Sequence, residues 1–246
     1  DNLRTYNGHN SFDFEGIARQ AYRVLKLGGV LVWVVGDSTF EGNESLSSFR
    51  QAIGFQSIGF KVWDTMIWNK FLPGDYGNRY CQAFEYMFVL AKGPAATWNP
   101  VLRPNLSAGK YSKSNQRSGY ITDNGHVKTG GIFPIKEMGV MENVWRIQPS
   151  ANETNHPAIF PEALAERHIL TWSNAGDIVL DFFMGSGTTA KMARKNGRRY
   201  IGCDISPEYV TIARKRLAQP YTPPLFDTPA AAPVESVTLP LFGATP

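Results

Sequence analysis

Between residues 14 and 25 the apolar positions Phe14, Ile17, Ala18, Ala21, Val24 and Leu25 recur every three or four residues. That spacing lays one stripe along one face of a helix. Ser11 stands where a capping hydroxyl is wanted, Asp13 and Glu15 put negative charge in the first turn, and Gly28-Gly29 marks the expected stop. The pattern then changes to a continuous apolar run, Val30 to Val35, which reads as a buried strand ending at Gly36-Asp37. A polar loop and a short second helix lead to Gly54, and "KVWDTMIWNK" and "AFEYMFVLAK" read as two more strands joined by a Pro/Gly/aromatic loop.

From Gly93 to about Asn143 no periodicity is sustained, and the stretch is rich in Gly, Ser, Asn and Lys, which reads as an insertion or small subdomain. Regular pattern returns after "ENVWRIQPS". Pro161 opens a helix through Leu164, Ala165, His168, Ile169 and Trp172 that Asn174-Ala175-Gly176 ends. Strand "IVLDF", a glycine loop, a helix to about Asn196, strand "RRYIGCD" and a last helix capped by Ser206 with Pro207 at its first position follow. From Gln219 the chain is Pro- and Ala-rich and reads as disordered. Strands alternating with helices predict an α/β fold with a parallel sheet covered on both faces, closed by a right-handed βαβ unit of Rossmann style.

Composition narrows this picture slightly. Apolar residues make up 43% of the 246, enough for a proper core, and no apolar run approaches the roughly 18 residues of a membrane span. Cys81 and Cys203 lie far apart with no metal-binding spacing, which reads as free thiols in a reducing cytoplasm. The net charge is +4, but the stretch after Arg216 holds no Lys or Arg, so the body is more basic than the average. In the insertion, Arg103, Lys110, Lys113, Arg117, Lys128 and Lys136 face only Asp123, Glu137 and Glu142. Among flexible polar residues such cations suit phosphate contacts, and Lys110, Lys113, Arg117 and Lys128 are the DNA-binding candidates. The basic run Lys191, Arg194, Lys195, Arg198 and Arg199 reads instead as a solvated helix face.

The chemistry concentrates in "VLDFFMGSGTTA", residues 179–190. A strand runs into Gly185-Ser186-Gly187 and a helix opens directly after. Glycine permits the tight turn and a close ligand approach, and free amides at a helix start favour a carboxylate or phosphate. The next strand leads to Asp204, seventeen residues past Gly187, where an acid can accept from both hydroxyls of a ribose or cap the final helix. Two cofactors fit, a dinucleotide or S-adenosylmethionine (SAM). Ala190 stands at the third glycine position of the dinucleotide fingerprint, while Asp181 and the Phe before the loop favour the methyl donor.

"FMGSGTT", "GCDISPEYV" and "NHPAIFPEAL" together resemble the amino-group DNA methyltransferases, which modify adenine N6 or cytosine N4. More narrowly they resemble the permuted β arrangement, in which the catalytic and target-recognition segments precede the cofactor loop; "YRVLKLGGVLVWVVGD", "MIWNK" and "FEYMFVLAKG" agree with it. The resemblance covers residues 1 to about 217. It implies a Rossmann-like SAM-dependent methyltransferase sheet, circularly permuted, with an inserted target-recognition segment. Residues 1–92 would be the catalytic half, 93–143 the recognition insertion, 144–217 the cofactor half and 218–246 the tail. It implies that Asp181, Phe183, Gly185 and Gly187 form the methionine-side loop, with the Ser186 and Thr188 amides near the carboxylate and Asp204 on the ribose. His156, Pro157, Ala158, Phe160 and Pro161 match the segment that closes over the methionine end, and strand 84–90 would line the pocket for the extruded base. A bacterial or phage-encoded, DNA-associated protein of the cytoplasm is implied, with double-stranded DNA as partner.

The D/N/S-P-P-Y/F tetrapeptide that orients the target amine in this family is absent from the sequence; "TPPLF" at 222 lies in the tail. "DNLRTYNG" resembles the stretch immediately C-terminal to that tetrapeptide in relatives, so the catalytic residues are expected just before Asp1, and the chain as a fragment is expected to bind cofactor weakly and transfer no methyl group. Two other readings stand beside it: a non-catalytic DNA-binding remnant, and an NAD-type Rossmann oxidoreductase, for which no catalytic His or Tyr–Lys pair is evident. Asp37 reads equally as a ligand-facing acid or a loop cap. Of Trp68, Phe71, Tyr76 and Tyr80, half are expected in the core and half toward DNA. The tail's "TLPLFG" resembles short peptides that bind the bacterial sliding clamp, and a homodimer is a further partner reading.

Overall fold

The computed structural model describes residues 12–70, 78–113, 132–149 and 160–219. Ser11, Phe71, Tyr76, Arg117, Lys128, His156, Pro157, Ala158 and the tail lie outside them. The chain divides into two compact units, Asp1–Asn99 with Val144–Pro246, and Pro100–Asn143.

In the first unit, α1 spans Phe14–Val24 and is capped by Asp13, whose carboxylate accepts from the Gly16 amide at 2.8 Å. The helix stops before the expected glycine pair. Lys92 Nζ takes the Tyr22 and Leu25 carbonyls at 2.7 and 3.0 Å, so the last turn is satisfied without a glycine cap. Gly28, at φ +80°, instead makes the turn into β1 (Val30–Val35). Helix α2 runs over Ser47–Ile58 and ends at Gly59, not at Gly54. Gly54 sits inside it because a Cβ there would come within 2.6 Å of the Phe14 ring, so the glycine permits close packing of α1 on α2.

Strands β4 (Lys61–Asn69), β5 (Phe84–Ala91) and β10 (Val144–Arg146) join β1 in the order β1-β5-β4-β10. The sheet is mixed rather than parallel: β5 runs antiparallel to β1 and β4, and β10 parallel to β4. The reason is the connection, since a loop between β4 and β5 returns the chain antiparallel, whereas a parallel pair needs a crossover. Trp33 of β1, Phe55, Phe60, Phe88 and Leu90 form the main core with Ala18 and Ala21. Of β1 only Trp33 is fully buried. A hairpin, β2 (Thr39–Phe40) with β3 (Asn43–Glu44), follows β1.

The expected βαβ unit is present: β11 (Ile178–Asp181), α4 (Thr188–Lys195) and β12 (Arg199–Gly202), with the two strands parallel and hydrogen-bonded as a two-stranded sheet. Helix α3 (Glu162–Trp172) packs Ala165 and Ile169 against Met192 and Ala193 of α4, and α5 (Pro207–Ala218) sets Ala213 against Met184 and Ala190.

The second unit contains two antiparallel pairs, β6 (Leu102–Pro104) with β9 (Met138–Val140) and β7 (Tyr111–Lys113) with β8 (Ile132–Pro134). Three-residue strands are too short to print an alternation in the sequence, so none was legible there. Among the described residues no helix is long and apolar enough to cross a membrane.

Candidate functional site

The site is built where β11 meets α4. The Asp181 carboxylate accepts from the Phe183 amide at 2.9 Å, and its carbonyl accepts from the Cys203 amide at 2.8 Å, which fixes the strand end to β12. Phe182 turns into the main core beside Trp33, whereas Phe183 stays half exposed between Phe12, at 5.9 Å, and Trp33, at 6.1 Å. Gly185 and Gly187 take φ +49° and +82°. At Gly187 a Cβ would also stand 2.9 Å from Ala213 Cβ, so both the conformation and the close approach of α5 require glycine.

Gly187 is the cap residue of α4 and supplies no side-chain bond. Among the described residues no acceptor meets the amides of Ser186, Thr188 or Thr189. Such open donors at the positive end of a helix suit an anion. The Ser186 and Thr188 hydroxyls turn the other way. Arg216 Nη1 lies 2.9 Å from Thr188 Oγ1 and 3.3 Å from Ser186 Oγ, and Arg216 Nη2 lies 2.6 Å from Glu162 Oε1, which also accepts from Lys191 at 2.6 Å. Burial by itself would raise the Glu162 carboxyl, but the Lys191 hydrogen bond and charge, with those of Arg216, outweigh it and hold it below its ordinary value.

Asp204 faces the loop from the end of β12. One of its oxygens accepts from the Gly185 amide at 2.7 Å and the other from Ser206 N at 2.9 Å. Ser206, in turn, caps α5 through Tyr209 N. Loop bracing and ligand binding are therefore compatible, because each carboxylate oxygen retains acceptor capacity. Phe160 packs on Trp68 at 5.8 Å, and Trp68 is buried with its indole N–H on the Ile147 carbonyl. Trp68 is thus core, while Tyr80 is fully exposed.

Asp37 is a loop cap. Its carboxylate accepts from the Ser45 and Ser47 hydroxyls, from the Ser48 amide at 3.0 Å and from the Ser48 hydroxyl. Strand β5 buries Met87 to Ala91 in the core, leaving only its first residues, Phe84 to Tyr86, partly accessible. The basic run stays accessible, with Arg194 and Arg199 exposed and Lys191, Lys195 and Arg198 partly so, but its members are paired. Lys191 pairs with Glu162, Lys195 with Glu166, Arg194 with the Leu217 carbonyl, Arg198 with Ser173 and Arg199 with the Gly176 carbonyl. In the second unit Lys110 and Lys136 are exposed, Lys113 ends β7, and Arg103 pairs with Glu142 at 2.8 Å. Neither Cys81 nor Cys203 forms a disulfide. Sequence reasoning missed Arg216 and Glu162, since a lone Arg on a terminal helix and an acid after a proline carry no motif.

Comparison with known proteins places this geometry. The family described as DNA methylase, the N6/N4 methyltransferases, matches residues 3–215. The orphan methyltransferase M.BamHII of Bacillus amyloliquefaciens is 50% identical over 229 residues, covering 88% of this chain and 84% of that protein. The type II methyltransferase M2.DpnII of Streptococcus pneumoniae is 30% identical over 225 residues, covering 88% and 70%. Among solved structures, M1.HpyAVI in complex with SAM superposes with a TM-score of 0.56 at 26% identity, covering 84% of this chain and 82% of that one. The cytosine-N4-specific PvuII DNA methyltransferase reaches 0.63 at 20% identity over 84% and 70%, a likeness of fold alone.

Proposed function

Because this chain belongs to the DNA methylase family of N6 and N4 methyltransferases, we propose that its 181–188 loop and Asp204 hold SAM for methylation of an exocyclic amine, on adenine or cytosine, in a base turned out of double-stranded DNA. When bound, SAM supplies a methyl carbon activated by a sulfonium, and its transfer to nitrogen depends chiefly on orientation. In this reading the open amides at the start of α4 take the methionine carboxylate. Asp204 accepts from the ribose hydroxyls with the capacity left by Gly185 and Ser206. Phe183 lends an exposed aromatic face beside the loop, and Phe160 belongs to the segment, with His156, Pro157 and Ala158, that closes over the methionine end. The observation that carries the reading is the set of unaccepted amides at α4 beside a carboxylate braced on the same loop.

Calorimetric titration with SAM tests it. Asp204→Ala is expected to weaken binding by about ten-fold or more, the scale of a lost charged hydrogen bond, Phe183→Ala is expected to weaken it through the lost aromatic contact, and NAD is expected not to compete. Wild-type affinity in both variants, or displacement by NAD, overturns the loop assignment. Residues 93–143 are assigned to target recognition, with Lys110, Lys113, Arg117 and Lys128 on phosphates. The amine-orienting tetrapeptide is absent from this sequence, so no catalytic residue is assigned within it and the base is read from product. Without that tetrapeptide the chain is expected to incorporate no labelled methyl from SAM into mixed DNA, and robust incorporation would refute this; any methylated product is expected to be N6-methyladenine or N4-methylcytosine in nucleoside digests, and 5-methylcytosine would contradict the proposal. Sliding-clamp binding through the tail is carried by sequence resemblance alone; a clamp pull-down unchanged by deleting residues 219–246 would remove it. A homodimer would show as a doubled mass in light scattering.

A further inference from the structure

Two residues of α5 one turn apart grip the glycine loop. Ala213 is small enough for the Gly187 backbone to lie against it, and Arg216 reaches the hydroxyls on either side of that glycine. Ser186 and Thr188 are buried, 5% and 4% exposed as whole residues, and both hydroxyls lie within reach of Arg216 Nη1. The guanidinium fork divides its work. Nη1 serves Thr188 Oγ1, Ser186 Oγ and, at 3.4 Å, the Ser186 carbonyl, while Nη2 is held by Glu162 on α3. Ser186 and Thr188 flank the cap position, Gly187, and short hydroxyl side chains so placed can compete for neighbouring backbone amides. Here they serve as acceptors for Arg216, and the amides at the start of α4 stay open.

We propose that Arg216 is a positioning residue for the cofactor: by holding the Ser186 and Thr188 hydroxyls inward, anchored on Glu162, it keeps the loop amides available to the methionine carboxylate. The inference rests on reading the 181–188 loop as the SAM site. It also explains why Glu162 receives two cations on one oxygen. A guanidinium beneath the positive end of a helix is electrostatically unfavourable, and the Glu162 carboxylate offsets it.

The test compares two ligands, SAM and 5′-methylthioadenosine, which lacks the methionine carboxylate. Dissociation constants are measured by calorimetry for the whole chain, well below each variant's melting midpoint. Arg216→Met is expected to weaken SAM by about ten-fold and to leave 5′-methylthioadenosine within about two-fold. Arg216→Lys, which keeps the charge but cannot bridge both hydroxyls and Glu162, is expected to fall between. Adding Ser186→Ala and Thr188→Ala to Arg216→Met is expected to restore part of the lost SAM affinity, because no hydroxyl is then left to close on the amides. Equal weakening of both ligands, full SAM affinity in Arg216→Met, or no recovery on adding the two alanines would each overturn the proposal. If Arg216→Met does not fold, the same comparisons are read with Arg216→Lys. Asp204→Ala separates the premises: loss of SAM binding there with none at Arg216 defeats the positioning role alone, and no loss at either defeats the loop assignment as well.

Discussion

His168 lies against Met87, with Nε2 3.3 Å from the sulfur, and its ring is 4.6 Å from that of Trp145; its Nδ1 has no hydrogen-bond partner. Burial, with no compensating charge, lowers its pKa from 6.5 to about 3. Since the folded value is depressed, the unfolded chain takes the proton first. The stability is fully present above about pH 6.5 and is lost as pH falls toward 3, at up to about 1.4 kcal/mol per pH unit for one group. Urea denaturation at pH 7 and pH 5 is expected to show this loss in wild type and a smaller one in His168→Leu. An unchanged difference would assign the acid sensitivity elsewhere. The sequence identified His168 as a position on the inner stripe of α3, but only the packing of β5 and β10 over that helix makes it a titrating liability.

At the scale of elements, α2 is held by the turn before it. Its cap residue, Leu46, has φ +52° and offers no side-chain bond, so the first turn depends on Asp37 reaching across to Ser45, Ser47 and Ser48. Burial tends to raise the Asp37 carboxyl, but the serine hydrogen bonds lower it further, leaving it below the ordinary value. Asp37→Ala is expected to cost about 1–3 kcal/mol of stability, as for a lost cap and its unsatisfied donors, and to leave SAM affinity unchanged. Weakened SAM binding in a folded Asp37→Ala would restore the ligand-facing reading. The run from Lys191 to Arg199 behaves in the same way. As letters it reads as a charged face, yet its members serve Glu162, Glu166, Ser173 and carbonyls on other segments.

At the scale of the whole molecule, the chemistry separates between two units. The unit containing Asp1–Asn99 and Val144–Pro246 carries the loop, Asp204 and Arg216, and Pro100–Asn143 carries the exposed Lys110 and Lys136. If the second unit contacts phosphates, Lys110→Gln with Lys136→Gln lowers DNA affinity and reduces the slope of log K against log salt by about one per lost contact. SAM affinity is expected to be unaffected. An unchanged salt slope, measured by fluorescence anisotropy on a duplex, would move DNA binding off these lysines.

The glycine loop, its flanking strand and helix, and Asp204 were legible in the sequence because their physics is local: a turn that only glycine allows, a helix that starts at once, an acid one strand later. The Ser206–Pro207 helix start is of the same kind. The place of β5 between β4 and β1, the place of Gly54 inside α2 and the early stop of α1 were not legible, since each depends on a partner far along the chain: β1, the Phe14 ring and Lys92. The same holds for the Glu162–Arg216–Ser186/Thr188 clamp. Its members stand 54, 30 and 28 residues apart and share no motif, because hydrogen bonds between distant side chains are chosen by the packing of α3, α4 and α5. Local backbone chemistry determined where a ligand could be held, and only the tertiary structure decided which side chains hold that place in shape.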